Sequence, residues 1–233
     1  MAAPAFSAIG GILTGSSSTT ASVPVPTGVT GVATTPGELV VVYIYVENSQ
    51  AVTPSAGFVH AGSSPVTNPS ATKPIVLNVF WKRPTAADTG TYAFTVASGL
   101  VWREGYAVRY TGCISTGNPF DVTKSNQTDS VAAGSFPAVS GNTLGADRLL
   151  LYVATTFDGR TVTTAAGFTN RPSSGAWLIS DKAQAARGAT GSIAGSWAGS
   201  NTSSVVWLGA LKPPTATPAP PPWPVPIRRA AIY

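Results

Sequence analysis

The sequence predicts an all-β protein: an internally duplicated antiparallel β-sandwich, jelly-roll-like, with an extended proline-rich C-terminal arm. Three observations predict it. Apolar runs of strand length recur between turn residues, one segment reads twice at a fixed offset, and the last residues leave that pattern for proline. Composition agrees. The chain is 43% hydrophobic but only 10% charged, against a typical charged share of about 25%. Ser, Thr, Gly and Pro stand where Glu, Lys and Arg would be, a profile that favours strands and tight turns over solvent-facing helices.

The repeat comes first, because it organises everything else. Residues 38–58 read ELVVVYIYVENSQAVTPSAGF and residues 148–168 read RLLLYVATTFDGRTVTTAAGF. They align without a gap at an offset of 110 (168 − 58), matching Leu39 with Leu149, Val52-Thr53 with Val162-Thr163, and Ala56-Gly57-Phe58 with Ala166-Gly167-Phe168. More loosely, Thr89-Gly90-Thr91-Tyr92 resembles Thr190-Gly191-Ser192-Ile193.

Each strand has its own signal. Leu39–Val46, Ile75–Trp81 and Leu149–Ala154 are continuous apolar runs suited to buried central strands. Tyr92, Phe94 and Val96 alternate with Ala93 and Thr95, so one face of that strand belongs to a core. Tyr106–Tyr110 and Val205–Leu211 close the two halves. Asn48-Ser49 and Asp158-Gly159 occupy the same slot in each copy as turn chemistry. Residues 181–187, DKAQAAR, read as a strand end and loop. Taking one parity per run, the expected core is Val40, Val42, Ile44, Leu77, Val79, Leu150, Tyr152, Val206 and Leu208, although central strands can bury both faces.

This gives an N-terminal segment (1–17), a duplicated sandwich (18–212, halves about 18–112 and 128–212) and an arm (213–233). The join contains Pro119-Phe120-Asp121-Val122, which reads as docked rather than as linker. One sandwich shared by both halves is the favoured arrangement, and two tandem sandwiches the alternative. In the arm, six of residues 213–223 are proline, which excludes a sheet interior and points to polyproline II. At about 3.1 Å per residue it reaches roughly 65 Å. Its expected partner-binding residues are Trp223 as buried anchor, Ile227, Ile232 and Tyr233 as further contacts, and Arg228 and Arg229 facing an acidic surface.

Chemistry-bearing motifs are sparse. The only histidine, His60, lies after the first AGF turn and reads as an exposed loop imidazole; no GxSxG elbow accompanies it. The nine acids sit mostly at strand ends and turns, and Glu38 and Asp147, which begin matching strands, read as solvated caps. One Cys and one His exclude the usual zinc sets. Cys113 reads as a small buried hydrophobe. No catalytic residue, metal ligand or cofactor is expected. A net charge of +5 without any Lys/Arg run longer than a pair argues against nucleic acid. The longest apolar runs are far short of a membrane helix, and residues 1–15 lack a basic leader region, so a soluble product made in the cytoplasm is expected. Trp81, Trp102, Trp177, Trp197 and Trp207 fall in or beside strands; any left exposed offers a flat face for a sugar ring or a protein.

Together Pro36–Val41 (PGELVV), Asn118–Val122 (NPFDV), Thr164–Arg171 (TAAGFTNR) and Asp181–Gly191 (DKAQAARGATG) resemble a β-sandwich module of minor tail and capsid accessory proteins in tailed phages infecting actinobacteria. The resemblance spans about residues 18–212. Members often carry Trp where Phe58 and Phe168 stand here. The resemblance implies a non-enzymatic structural role in the virion, as a minor tail or external decoration subunit. The partners are then other virion proteins and further copies of the chain on the particle, with neither nucleic acid nor membrane insertion involved. The alternative is a carbohydrate-binding module recognising a host envelope glycan.

Overall fold

The computed structural model describes residues 3–128, 134–158, 160–171, 177–199 and 202–215. Among them every regular element is a strand and every named pairing is antiparallel. The first half comprises β1 (Ala5–Ile9), β2 (Leu13–Gly15), β3 (Thr20–Pro24), β4 (Leu39–Glu47), β5 (Val52–Thr53), β6 (Val59–His60), β7 (Val66–Asn68), β8 (Ile75–Lys82), β9 (Thr91–Val96) and β10 (Arg103–Thr111). The second comprises β11 (Phe120–Thr128), β12 (Asn142–Thr143), β13 (Arg148–Thr156), β14 (Val162–Thr163), β15 (Thr169–Asn170), β16 (Trp177–Gln184), β17 (Gly188–Ala189), β18 (Ser196–Trp197) and β19 (Ser204–Leu211).

Two large sheets carry the architecture. The first runs β1-β10-β4-β8-β6, with β2 also on β10 and β7 also on β8. The second runs β11-β19-β13-β16-β15. Smaller sheets, β3-β9-β5 in the first half and β14-β18 and β12-β17 in the second, complete the molecule. The segment before residue 18 therefore contributes two strands to the first sheet, and the join contributes β11, the edge strand of the second.

The continuous apolar runs follow from this layering. Along β4, Leu39, Val41, Tyr43 and Tyr45 belong to one core and Val40, Val42, Ile44 and Val46 to another. The first of these cores lies between the two large sheets. There Trp177 meets Tyr45 and Tyr106 edge-on at 6.3 and 6.0 Å, and Trp207 meets Tyr43 and Phe120 at 6.5 and 5.4 Å. A second core lies within the first half, around Phe58, Phe80 and Phe94, and a third within the second, around Phe136, Tyr152 and Phe168. A strand with both faces buried has no use for polar alternation. All nine expected core residues are buried. They do not share one face, however: Leu77 and Val79 point into the core between the large sheets, whereas Val40, Val42 and Ile44 point away from it.

The halves correspond at the level of register. Val52 faces Val96 as Val162 faces Trp197, and Val59 faces Trp81 as Thr169 faces Asp181. The amides of Phe58 and Phe168 donate to the carbonyls of Ser55 and Ala165 at 3.0 and 3.1 Å. Between them Gly57 and Gly167 have φ of 80° and 77°, a left-handed conformation that a Cβ disfavours. Asn48 and Ser49 also sit at positive φ, in the turn that closes β4.

Candidate functional site

The side chains expected to bind a partner, Trp223, Ile227, Arg228, Arg229, Ile232 and Tyr233, lie outside the described residues. Their point of departure is described. The Lys212 amide donates to Pro119 O and the Ile114 amide to Lys212 O, both at 2.9 Å, so the chain leaves β19 fastened to the 112–119 loop.

Among the described residues, four clusters of titratable side chains bear on the candidate site, and each has a mechanical reading. At the start of β4, Glu38 is fully buried rather than solvated, which corrects the cap expectation for it; Asp147 is exposed. Glu38 pairs with Arg109 and accepts from the amides of Thr30 and Gly31. The carboxylate is desolvated because it serves as the anchor of the 28–35 loop, and a buried charge is tolerated only when so partnered.

The second cluster spans the two halves. Glu104 accepts from Trp177 Nε1 at 2.7 Å and from Trp102 Nε1 at 3.2 Å. Nearby, Tyr45 donates to Glu47 at 3.2 Å and approaches Phe157 O at 3.4 Å, while Lys73 and Arg160 both pair with Asp158. Partial burial raises the Glu47 carboxyl above its usual range, with Glu104 and Asp158 adding to the rise and the Tyr45 hydroxyl opposing it. Burial also pushes Asp158 upward, but Lys73 and Arg160 outweigh it and hold that carboxyl below its usual range. Three carboxylates and two tryptophans in one place resemble a glycan site in composition. Here, however, the Glu104 carboxylate holds Trp177 of the opposite sheet, and that indole is fully buried. Of the five strand tryptophans only Trp102 is substantially exposed, at 41%.

The third cluster joins the second half to β1. Arg171 donates Nε and an NH2 to the two carboxylate oxygens of Asp181, each at 2.6 Å, and its guanidinium lies 4.2 Å from the Phe6 ring centre. Burial of the pair against β1 follows from where the sheets meet, and the sequence carried no signal of it: Asp181 reads there as the start of a strand end and loop, whereas β16 runs on to Gln184.

The fourth cluster belongs to the first half alone. Lys82 Nζ lies 4.5 Å from the Tyr92 ring centre and 5.1 Å from that of Phe58, and pairs with Asp88 at 2.8 Å. Tyr92 donates to the same Asp88 oxygen at 2.9 Å. Burial and this carboxylate together push the Tyr92 hydroxyl well above the ordinary phenol value.

His60 lies in β6 rather than in a loop, exposed, with its ring centre 4.3 Å from that of Phe80 and tilted 44° to it; partial burial lowers its pKa. Cys113 is buried, and burial pushes its thiol up to about 12 despite Arg83 nearby. Such a thiol is inert as a nucleophile at neutral pH. Among the described residues no three His, Cys, Asp or Glu side chains converge to hold a metal ion, and no helix is long and apolar enough to cross a membrane. A scan of protein-family models, a search of curated proteins and a search of solved structures each find no match to this chain.

Proposed function

We propose that the chain is a non-enzymatic structural subunit of a tailed-phage virion, a minor tail or external capsid decoration protein that docks on other virion proteins. The observation that carries this reading is the use made of charge. Glu38, Glu104, Asp158 and Asp181 each bind groups on other parts of the fold; Glu104 and Asp158 fasten one half to the other directly, and Asp181 holds Arg171 over Phe6 of the first half. A chain built this way presents a rigid body with its polar chemistry turned to cohesion, and the sequence resemblance described above assigns such a body to the particle. On this reading the body is a duplicated sandwich, its chain passing jelly-roll-like between large and small sheets. The shared sheet order and the paired conformations of Gly57 with Gly167 and Gly90 with Gly191 support the duplication.

The arm, residues 213–233, is the docking element, and the strand it follows, β19, is itself already paired on both sides. Mass spectrometry of purified particles tests the location, and absence of the protein from them would sink it. Deleting residues 213–233 leaves the melting temperature unchanged and abolishes incorporation; normal incorporation of the truncated chain refutes the docking role. One observation favours the second reading, a glycan-binding module: the exposed Trp102 ring beside the Glu104 carboxylate, a flat face with an acceptor for sugar hydroxyls. A glycan array that gives signals abolished by Trp102→Ala decides for it.

A further inference from the structure

The two halves differ most informatively beside elements whose register and turn conformation they share. Lys82 and Lys182 hold the same place on β8 and β16, each over the phenylalanine of its AGF turn, Phe58 at 5.1 Å and Phe168 at 5.8 Å. The following turns also correspond, with φ of 76° at Gly90 and 74° at Gly191. By that register Tyr92 is matched by Ile193 and Asp88 by Ala189. The second half therefore keeps the lysine and the phenylalanine but lacks both the phenol and the carboxylate that cover them in the first.

What stands there instead is a cavity of about 130 Å³ lined by Ala165, Phe168, Lys182, Thr190, Ser192 and Ile193. Ser192 also borders a wider groove of about 420 Å³ that contains Lys124 and Asn142. Among the described residues Lys182 has no carboxylate partner. The volume is close to that of an engineered cavity of ~150 Å³ that admits benzene. Its lining is mixed: the Lys182 ammonium and the Thr190 and Ser192 hydroxyls stand beside the apolar side chains of Ala165, Phe168 and Ile193.

We propose that this cavity is a binding site for a small aromatic carboxylate, whose ring packs on Phe168 and Ile193 and whose carboxylate pairs with Lys182. The first half shows the solution in covalent form: a phenol edge-on to Phe58 at 4.9 Å, hydrogen-bonded to a carboxylate that holds Lys82. A ligand with an aromatic ring and a carboxylate reproduces the ring contact and the ion pair in the second half. This inference rests on the correspondence of the halves and is independent of any role on a particle.

The test is a titration of the full chain with 4-hydroxyphenylacetate, followed by amide chemical shifts and calorimetry. Saturable shifts are expected at Phe168, Lys182 and Ile193. The matching alcohol, 2-(4-hydroxyphenyl)ethanol, and the Lys182→Ala variant each bind about five- to tenfold more weakly, the loss of one partly exposed charge-assisted contact. The double variant A189D/I193Y, which rebuilds the covering of the first half, retains its melting temperature and loses binding. No saturable shift in the wild type overturns the proposal. So does an alcohol that binds as well as the acid, or a folded double variant that binds unchanged. If the double variant does not fold, Lys182→Ala and the alcohol decide alone.

Discussion

Replacing Trp177 with Phe isolates the bond that ties the two large sheets together at Glu104. The indole N–H donates to Glu104 at 2.7 Å from a fully buried ring. A hydrogen bond to a charged acceptor contributes about 1.5–3 kcal/mol. The smaller ring also leaves a gap of about 40 Å³, which at about 24 cal/mol per Å³ adds roughly 1 kcal/mol. The expected destabilisation is about 3 kcal/mol, or about 6–12 °C in melting temperature for a chain of this size. Trp102→Phe is the matched control. It removes a bond to the same carboxylate, but from a ring that is 41% exposed and at a longer 3.2 Å, so water replaces the lost donor and the melting temperature falls by less than about 3 °C. Both are read by differential scanning calorimetry at neutral pH. Equal shifts for the two variants, or a Trp177→Phe protein melting within about 2 °C of the wild type, would refute the claim that this bond holds the sheets together.

Four further outcomes follow from the same contacts. Arg109→Ala strips the buried Glu38 carboxylate of its cation and costs about 3 kcal/mol, with earlier proteolytic cleavage in residues 28–35 as the local readout. Val206→Asp places an unpartnered carboxylate in the core of the second half and prevents folding, because a bare buried charge costs several kcal/mol; a soluble variant with native melting counts against that core. Asp158 and Glu47 give opposite pH dependences. The depressed Asp158 value contributes stability above the unfolded value of about 3.9, lost as pH falls through the folded one, so Asp158→Asn lowers melting at pH 7 and has little effect in strong acid. The raised Glu47 value makes ionisation unfavourable in the fold, a penalty that sets in as pH rises from the unfolded value of about 4.3 through the folded one. Glu47→Gln, which keeps an acceptor for Tyr45, accordingly raises melting at neutral pH, and the gain disappears below pH ~4.

What the sequence disclosed was what depends on neighbours in the chain. The runs at Leu39 and Leu149 announced strands without a solvent face, and the matched AGF segments announced a repeated turn, because those requirements are local. The face on which Leu77 lies was not legible, since a strand buried on both sides carries no alternation to read its parity from. Nor was the burial of Glu38, whose partner Arg109 lies 71 residues away. The pairing of Arg171 with Asp181 and the bond from Trp177 to Glu104 depend on which sheet faces which, a property of the assembled layers rather than of any segment. The missing phenol at Ile193 was visible as a substitution between the repeats, but only the cavity beside Lys182 gives it a meaning.

The place where the chain leaves β19 has a mechanical consequence. This strand is interior to its sheet, bonded to β11 on one side along Phe120–Thr128 and to β13 on the other along Leu149–Thr156. A pull applied to Lys212 along the strand axis loads the rungs of both ladders in parallel instead of peeling them one at a time. Fully buried Val205, Trp207 and Leu211 on one face and Val206 and Leu208 on the other must slide past their neighbours before any rung is free. The end of β19 at Leu211 is thus held in the interior of the second sheet, where a load along the strand meets both ladders at once.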